Sequence, residues 1–157
     1  LFFVAARMNL EQVGTLAAIY PATWGVMQLF TGAWSDRVGR KWLIATGMWV
    51  QAVGIAAIVL ARGFGGFVLG SVLLGLGMGL CGPGLNAIMS LAVSAREQGA
   101  LAGIASAIPA LGFILGPVAG TALYQVNPHH PYILTTLILL PACVAAFRVR
   151  PHTHAEP

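Results

Sequence analysis

The residues best placed to do chemistry are one carboxylate and three cations within six positions. Asp36, Arg37, Arg40 and Lys41 lie in the stretch Gly32-Ala33-Trp34-Ser35-Asp36-Arg37-Val38-Gly39-Arg40-Lys41. Their chemistry is electrostatic. Asp36 can face the positive N-terminal end of a helix or an arginine, while Arg37, Arg40 and Lys41 can reach helix C-terminal carbonyls and lipid phosphates. Gly32 permits close packing at a helix end, and Gly39 permits a tight turn because it tolerates positive φ. Such contacts would make a breakable latch. The other polar groups offer less. His129-His130 and His152/His154 have no carboxylate or cysteine at ligand spacing, and Glu11 and Glu97 read as solvated. Cys81 and Cys143 lie in apolar runs without CxxC spacing, as buried thiols do. No metal, cofactor or nucleophile–base pair is predicted, so the chain does not read as an enzyme.

These residues punctuate an apolar chain. Of 157 residues 58% are hydrophobic and 8% charged, against about 25% charged in an ordinary soluble domain. A water-soluble globule is excluded, and stretches of the roughly 20 apolar residues that cross a bilayer recur. The net charge of +4 does not suggest nucleic acid, because the basic residues separate apolar runs and form no single basic face. The expected fold is all-α and polytopic, with about five membrane spans: 14–33, 42–61, 67–93, 101–124 and 132–147. A stub at 1–6 precedes them. The last span is short at 1.5 Å per residue and should extend into its flanks. Leu1-Phe2-Phe3-Val4 does not open like a signal peptide, and the chain reads as a piece of something longer.

Short links force neighbouring helices to run antiparallel. Arg37, Arg40 and Lys41, then Arg96, then Arg148 and Arg150 fall on one side; Arg7 and Arg62 fall on the other. The positive-inside tendency makes the richer side, and the C-terminus, cytoplasmic. The link from Gln125 to Pro131 is then external. No Asp, Glu, Lys, Arg or His lies within a span, so no intramembrane proton carrier is expected here. The chain has 20 Gly and nine Pro instead. Glycines, as in Gly75-Leu76-Gly77-Met78-Gly79, let helix backbones approach, and Pro21, Pro83, Pro109, Pro117 and Pro141 predict kinks.

The Gly32–Lys41 stretch resembles the signature loop of the major facilitator superfamily, G-x-x-x-D-R-x-G-R-[KR], with Trp34 where a Leu is usual. The fourth span places Gly103, Gly112, Gly116-Pro117 and Gly120 in a pattern similar to the G-x8-G-x3-G-P-x2-G-G motif of proton-coupled drug antiporters, with Thr121 in place of the last Gly. Physically it offers a small-residue helix face plus a kink. The resemblance implies a partial major facilitator domain over 1–157, in the lipid bilayer of the cell membrane. It further implies secondary transport of a small-molecule substrate by alternating access, with efflux coupled to protons. A uniporter or nutrient importer, or a non-transporting half-transporter partner, stays open.

Both halves of such a transporter can show this order of features. Two details favour the second half, helices eight to twelve plus the end of the seventh. Ser71 stands where the first half usually has an Arg, and Ala95-Arg96-Glu97-Gln98-Gly99 is similar to the E-x-Q-G or E-Q-G link before the eleventh helix of tetracycline-type efflux proteins. The missing N-terminal half would then be a partner. The third span becomes a cavity-lining helix, with Asn86, Met78, Met89 and Cys81 as lining candidates and Gln28 and Tyr20 as secondary ones. Arg96, near the start of the fourth span, is a candidate latch partner.

Overall fold

A computed structural model describes residues 8–148, without the side chains of Asp36, Leu140, Ala142, Cys143 and residues 145–148. The expectations for the 1–6 stub, Arg7, Arg150, His152 and His154, and for the side chains of Cys143 and Arg148, lie outside the described residues. Among these residues the chain forms five helices and no strand: α1 (Leu10–Val38), α2 (Arg40–Leu60), α3 (Phe64–Leu91), α4 (Gln98–Val126) and α5 (His130–Arg148). Each overlaps one expected span and outruns it at its N-terminal end, while α2 and α3 stop at Leu60 and Leu91, short of the expected ends at 61 and 93. At the start of α1 a capping box accounts for the extension: the Asn9 side chain accepts from the Gln12 N–H at 2.8 Å, and the Gln12 side chain accepts from the Asn9 N–H at 3.1 Å. The prolines expected to kink the chain all lie inside helices that continue through them.

Three helices, α2, α3 and α4, are long and apolar enough to cross a membrane. α1 is as long as α4 but less apolar, its middle interrupted by Tyr20, Pro21, Thr23 and Gln28. In α5 the clearly apolar stretch is His130–Leu139.

α3 is the centre of the bundle, and glycine spacing makes it so. Gly70, Gly77 and Gly84 recur every seven residues and face α2; Gly75 and Gly79, four apart, face α1. On α2, Gly47 and Gly54 answer at the same seven-residue step. A methyl at Gly77 would come 2.5 Å from the Gly47 carbonyl oxygen and 2.7 Å from the Gln51 nitrogen, and one at Gly47 would come 2.6 Å from the Gly77 carbonyl. The obstacles are backbone atoms that cannot rotate aside, so only glycine lets these helices lie so close. In lipid, where burial of apolar surface gives no net drive between helices, such van der Waals contact is the main source of association. The order of contacts makes α1 parallel and α2 antiparallel to α3. Leu16, Ile58 and Phe67 close the bundle at one end.

α4 is different. It has no buried residue, and every position from Ser106 to Ala119 is exposed. Its half-buried residues lie near its two ends, Gln98, Leu101 and Ala105 at one and Gly120, Leu123 and Tyr124 at the other.

Candidate functional site: a charged turn and a polar groove

The charged stretch is a helix–turn–helix corner with a one-residue turn, which corrects the expectation of a link over 34–41 between the first two spans. Gly32 to Val38 form the last turns of α1, and Arg40 already opens α2. Only Gly39 lies between, at φ 92, a conformation that side chains with a Cβ rarely adopt. Its N–H donates to the Ser35 carbonyl at 3.2 Å, and its own carbonyl accepts from Leu43 at 3.2 Å, so one residue ends one helix and starts the next. Gly32 does not serve close packing within this chain, because a Cβ there would meet nothing within 4 Å. Arg37 is exposed, whereas Arg40 and Lys41 are half-buried. The backbone of Asp36 continues α1; its side chain, the proposed latch carboxylate, lies outside the described residues.

Beneath this corner, on the side of α1 that enters the bundle, the Thr31 and Ser35 hydroxyls are buried, at 0% and 7% exposure, with no hydrogen-bond partner among the described residues. They stand one turn apart. Two lone hydroxyls in a packed seam are poorly placed, since a buried polar group without a partner costs about 1–3 kcal/mol.

The α3–α4 link lies at the same end of the bundle as the corner, because α1 and α3 are parallel. Here Asn86, Met89 and Ser90 from the end of α3 and Gln98, Leu101 and Ser106 from the start of α4 line a groove of about 330 Å³. Asn86 and Met89, two of the lining candidates, share this groove. Met78, Gln28 and Tyr20 are not among the residues of this groove: Met78 is partly exposed further along α3, and Gln28 and Tyr20 are exposed on α1. Cys81 packs toward Gly47 on α2 and does not line the groove either. The polar members Ser90, Gln98 and Ser106 were not anticipated as lining residues, although Gln98 stood in the link motif. The groove walls carry no charged side chain, so a guest would be held by amide and hydroxyl hydrogen bonds and by apolar contact.

One acidic side chain orders the link. The Glu97 carboxylate accepts from the Ser94 N–H at 3.0 Å and from the Ser94 hydroxyl at 2.7 Å. These bonds hold its carboxyl below the usual carboxylate range, the hydroxyl bond being the larger cause. Arg96, the proposed latch partner, is exposed in the same link.

The glycine pattern of α4 meets no neighbour among the described residues: a Cβ at Gly103, Gly112, Gly116 or Gly120 would find none of their atoms within 4 Å. Gly112, Gly116 and Gly120 recur every fourth residue and share a side, whereas Gly103 lies nine residues before Gly112, half a turn round a straight helix at 3.6 residues per turn. Thr121, the departure from the motif, returns its hydroxyl to the Pro117 carbonyl at 2.7 Å and the Val118 carbonyl at 3.0 Å. Such back-bonding bends helices, so Thr121 adds to the effect of Pro117. Among the described residues no group of three His, Cys, Asp or Glu side chains could hold a metal.

Comparison with known proteins bears on what this arrangement belongs to. The family model described as Major Facilitator Superfamily matches residues 3–157. The class G tetracycline resistance protein of Vibrio anguillarum is 36% identical over 121 residues, covering 76% of this chain and 30% of that protein. The class C tetracycline resistance protein of Escherichia coli is 32% identical over 123 residues, covering 77% and 31%. Multidrug resistance protein 2 of Bacillus subtilis is 26% identical over 145 residues, covering 92% and 36%. The chain therefore spans about a third of the length of these relatives. With the match running along nearly the whole chain, over apolar helices joined at a one-glycine corner between Asp36-Arg37 and Arg40-Lys41, this all-α membrane protein belongs to the Major Facilitator Superfamily, a family of transporters and not of enzymes.

Proposed function

We propose that this chain is the second half of a proton-coupled efflux transporter for drugs or metabolites, helices eight to twelve with the end of the seventh. Tetracyclines are the first substrates to test, given what two of the relatives are named for. The observation that carries this reading is the Asp36-Arg37-Val38-Gly39-Arg40-Lys41 corner, a charged clip on a one-residue turn between two helices of a chain matching this family. The corner and the Arg96 link share one end of the bundle, and their cations make that end, and the C-terminus, cytoplasmic. The first half lies outside these residues and supplies the other wall of the substrate path. It also supplies the acidic proton carrier that the spans of this chain lack, so the two halves alternate access to a site between them. The bare middle of α4, with Gly112 and Gly116, receives that first half.

The test is drug flux by the full-length transporter in proteoliposomes under an imposed proton gradient. Gradient-driven accumulation is expected, and Asp36→Asn should lower turnover severalfold while KM stays nearly constant, because the charge favours one face of the cycle and does not touch substrate. Accumulation that ignores protonophores would overturn proton coupling, and normal turnover in the Asn variant at equal expression would overturn the clip.

A further inference from the structure

The clearest unexplained feature is the side chain of Gln98. Its amide nitrogen donates to the Ser90 carbonyl at 2.7 Å, and its amide oxygen accepts from the Ser90 hydroxyl at 3.1 Å. Both ends of one side chain are thus spent on one residue of the neighbouring helix. The Ser90 carbonyl is among the last four of α3, which ends at Leu91, and these have no donor within their own helix. Gln98 opens α4. One amide therefore closes the end of α3 and fixes the start of α4 to it.

The position of this clasp gives it consequence. Away from it α4 has little hold on the rest of the chain, since all positions from Ser106 to Ala119 are exposed. Gln98, Ala105 and Gly112 recur every seven residues and so lie on one side of α4. Of these, Gln98 and Ala105 line the groove with Asn86 and Met89 of α3, and Gly112 lies beyond it. The gap between Asn86 on one wall and Ser106 on the other is thus set at its closed end by a two-bond amide tie. The Glu97–Ser94 bonds next to it are local to the link and do not reach α3's helical body.

We infer that Gln98 is a positioning residue: by clasping Ser90 it sets the α3–α4 spacing, and through it the width of the groove between Asn86 and Ser106. This rests on the transport reading for its use, but the geometry has its own readout. In the full-length protein, in a cysteine-free background, spin labels are placed at Leu85 of α3 and Ile104 of α4, both exposed. The parent should give one narrow distance distribution. Gln98→Met keeps the length of the side chain and removes both bonds. It should raise the population at longer distance about tenfold, or about 1.4 kcal/mol, the worth of two neutral hydrogen bonds. Ser90→Ala removes only the hydroxyl bond and should give a smaller shift of the same kind; it also serves if the Met variant fails to insert. In flux assays KM should change in the same order as the distances. Unchanged distributions in both variants would overturn the inference whatever the flux. Shifted distances in a protein that moves no drug would uphold the clasp and overturn the transport reading.

Discussion

Glycines do opposite things in α3 and α4. In α3, Gly70, Gly77 and Gly84 sit against α2, and Gly75 and Gly79 against α1, so tightly that a methyl group would strike backbone or stem atoms of the neighbour. In α4, Gly103, Gly112, Gly116 and Gly120 meet nothing. A small-residue pattern therefore does not by itself say whether the contact it permits is made within the same chain. The α3 glycines are used up in building this bundle. Those of α4 take no part in packing among the described residues, and on the proposed function they receive the first half.

The sharpest way to break this comparison is one added methyl group in each region. Gly77→Ala forces a Cβ onto the Gly47 carbonyl and the Gln51 nitrogen, and should cost about 3 kcal/mol, the upper part of the usual overpacking range, because neither atom can rotate away. The loss of folded protein on thermal challenge in detergent measures it. Gly112→Ala should act with the opposite sign on this chain alone, stabilising α4 by up to about 1 kcal/mol through helix propensity, since the methyl meets open space. In the full-length transporter the same substitution should instead reduce flux. A Gly112→Ala variant that destabilised the isolated chain as much as Gly77→Ala would erase the distinction.

Smaller effects sharpen the account. Thr31→Val removes a buried hydroxyl that has no partner, and melting of the variant should show a gain of up to about 1 kcal/mol where a paired threonine would show a loss. At the α3–α4 link the Glu97 carboxyl is held below its ordinary range by Ser94. A depressed value means that the bonds stabilise the folded link fully above the unfolded carboxylate value and that this is lost as pH falls through the lower, folded one. Protection of the Ser94 amide from hydrogen exchange should accordingly fall only in the acid range, and Glu97→Gln should remove that pH dependence.

Much of this was legible in the sequence because apolar runs bounded by charges leave few ways to place helices. All five spans overlap observed helices, three of them falling wholly inside, and Gly39 between charged helix ends takes the positive φ that a tight turn needs. The corner itself was misjudged as a loop, since Ser35, Asp36 and Arg37 are polar yet remain helical, their backbone bonds closing the last turn of α1. Which neighbour Asn86, Met89, Met78, Gln28 and Tyr20 each face is a tertiary fact that residue type and spacing do not carry. The seven-residue recurrence Gly70, Gly77, Gly84, answered by Gly47 and Gly54, was there to be counted and names the α2–α3 seam directly. The clasp of Gln98 on Ser90 had a weaker signal, a glutamine eight residues beyond a helix-terminal serine, which gains meaning only when the link folds back.

The central claim, that the exposed middle of α4 is a surface made for chain beyond these residues, is tested most directly by photo-crosslinking. A benzophenone amino acid at Ile108, 65% exposed in this structure, is irradiated in the full-length protein in native membranes and its adducts are mapped by mass spectrometry. Adducts on peptides outside residues 1–157 are predicted; adducts confined to α1–α3 or to lipid would contradict it.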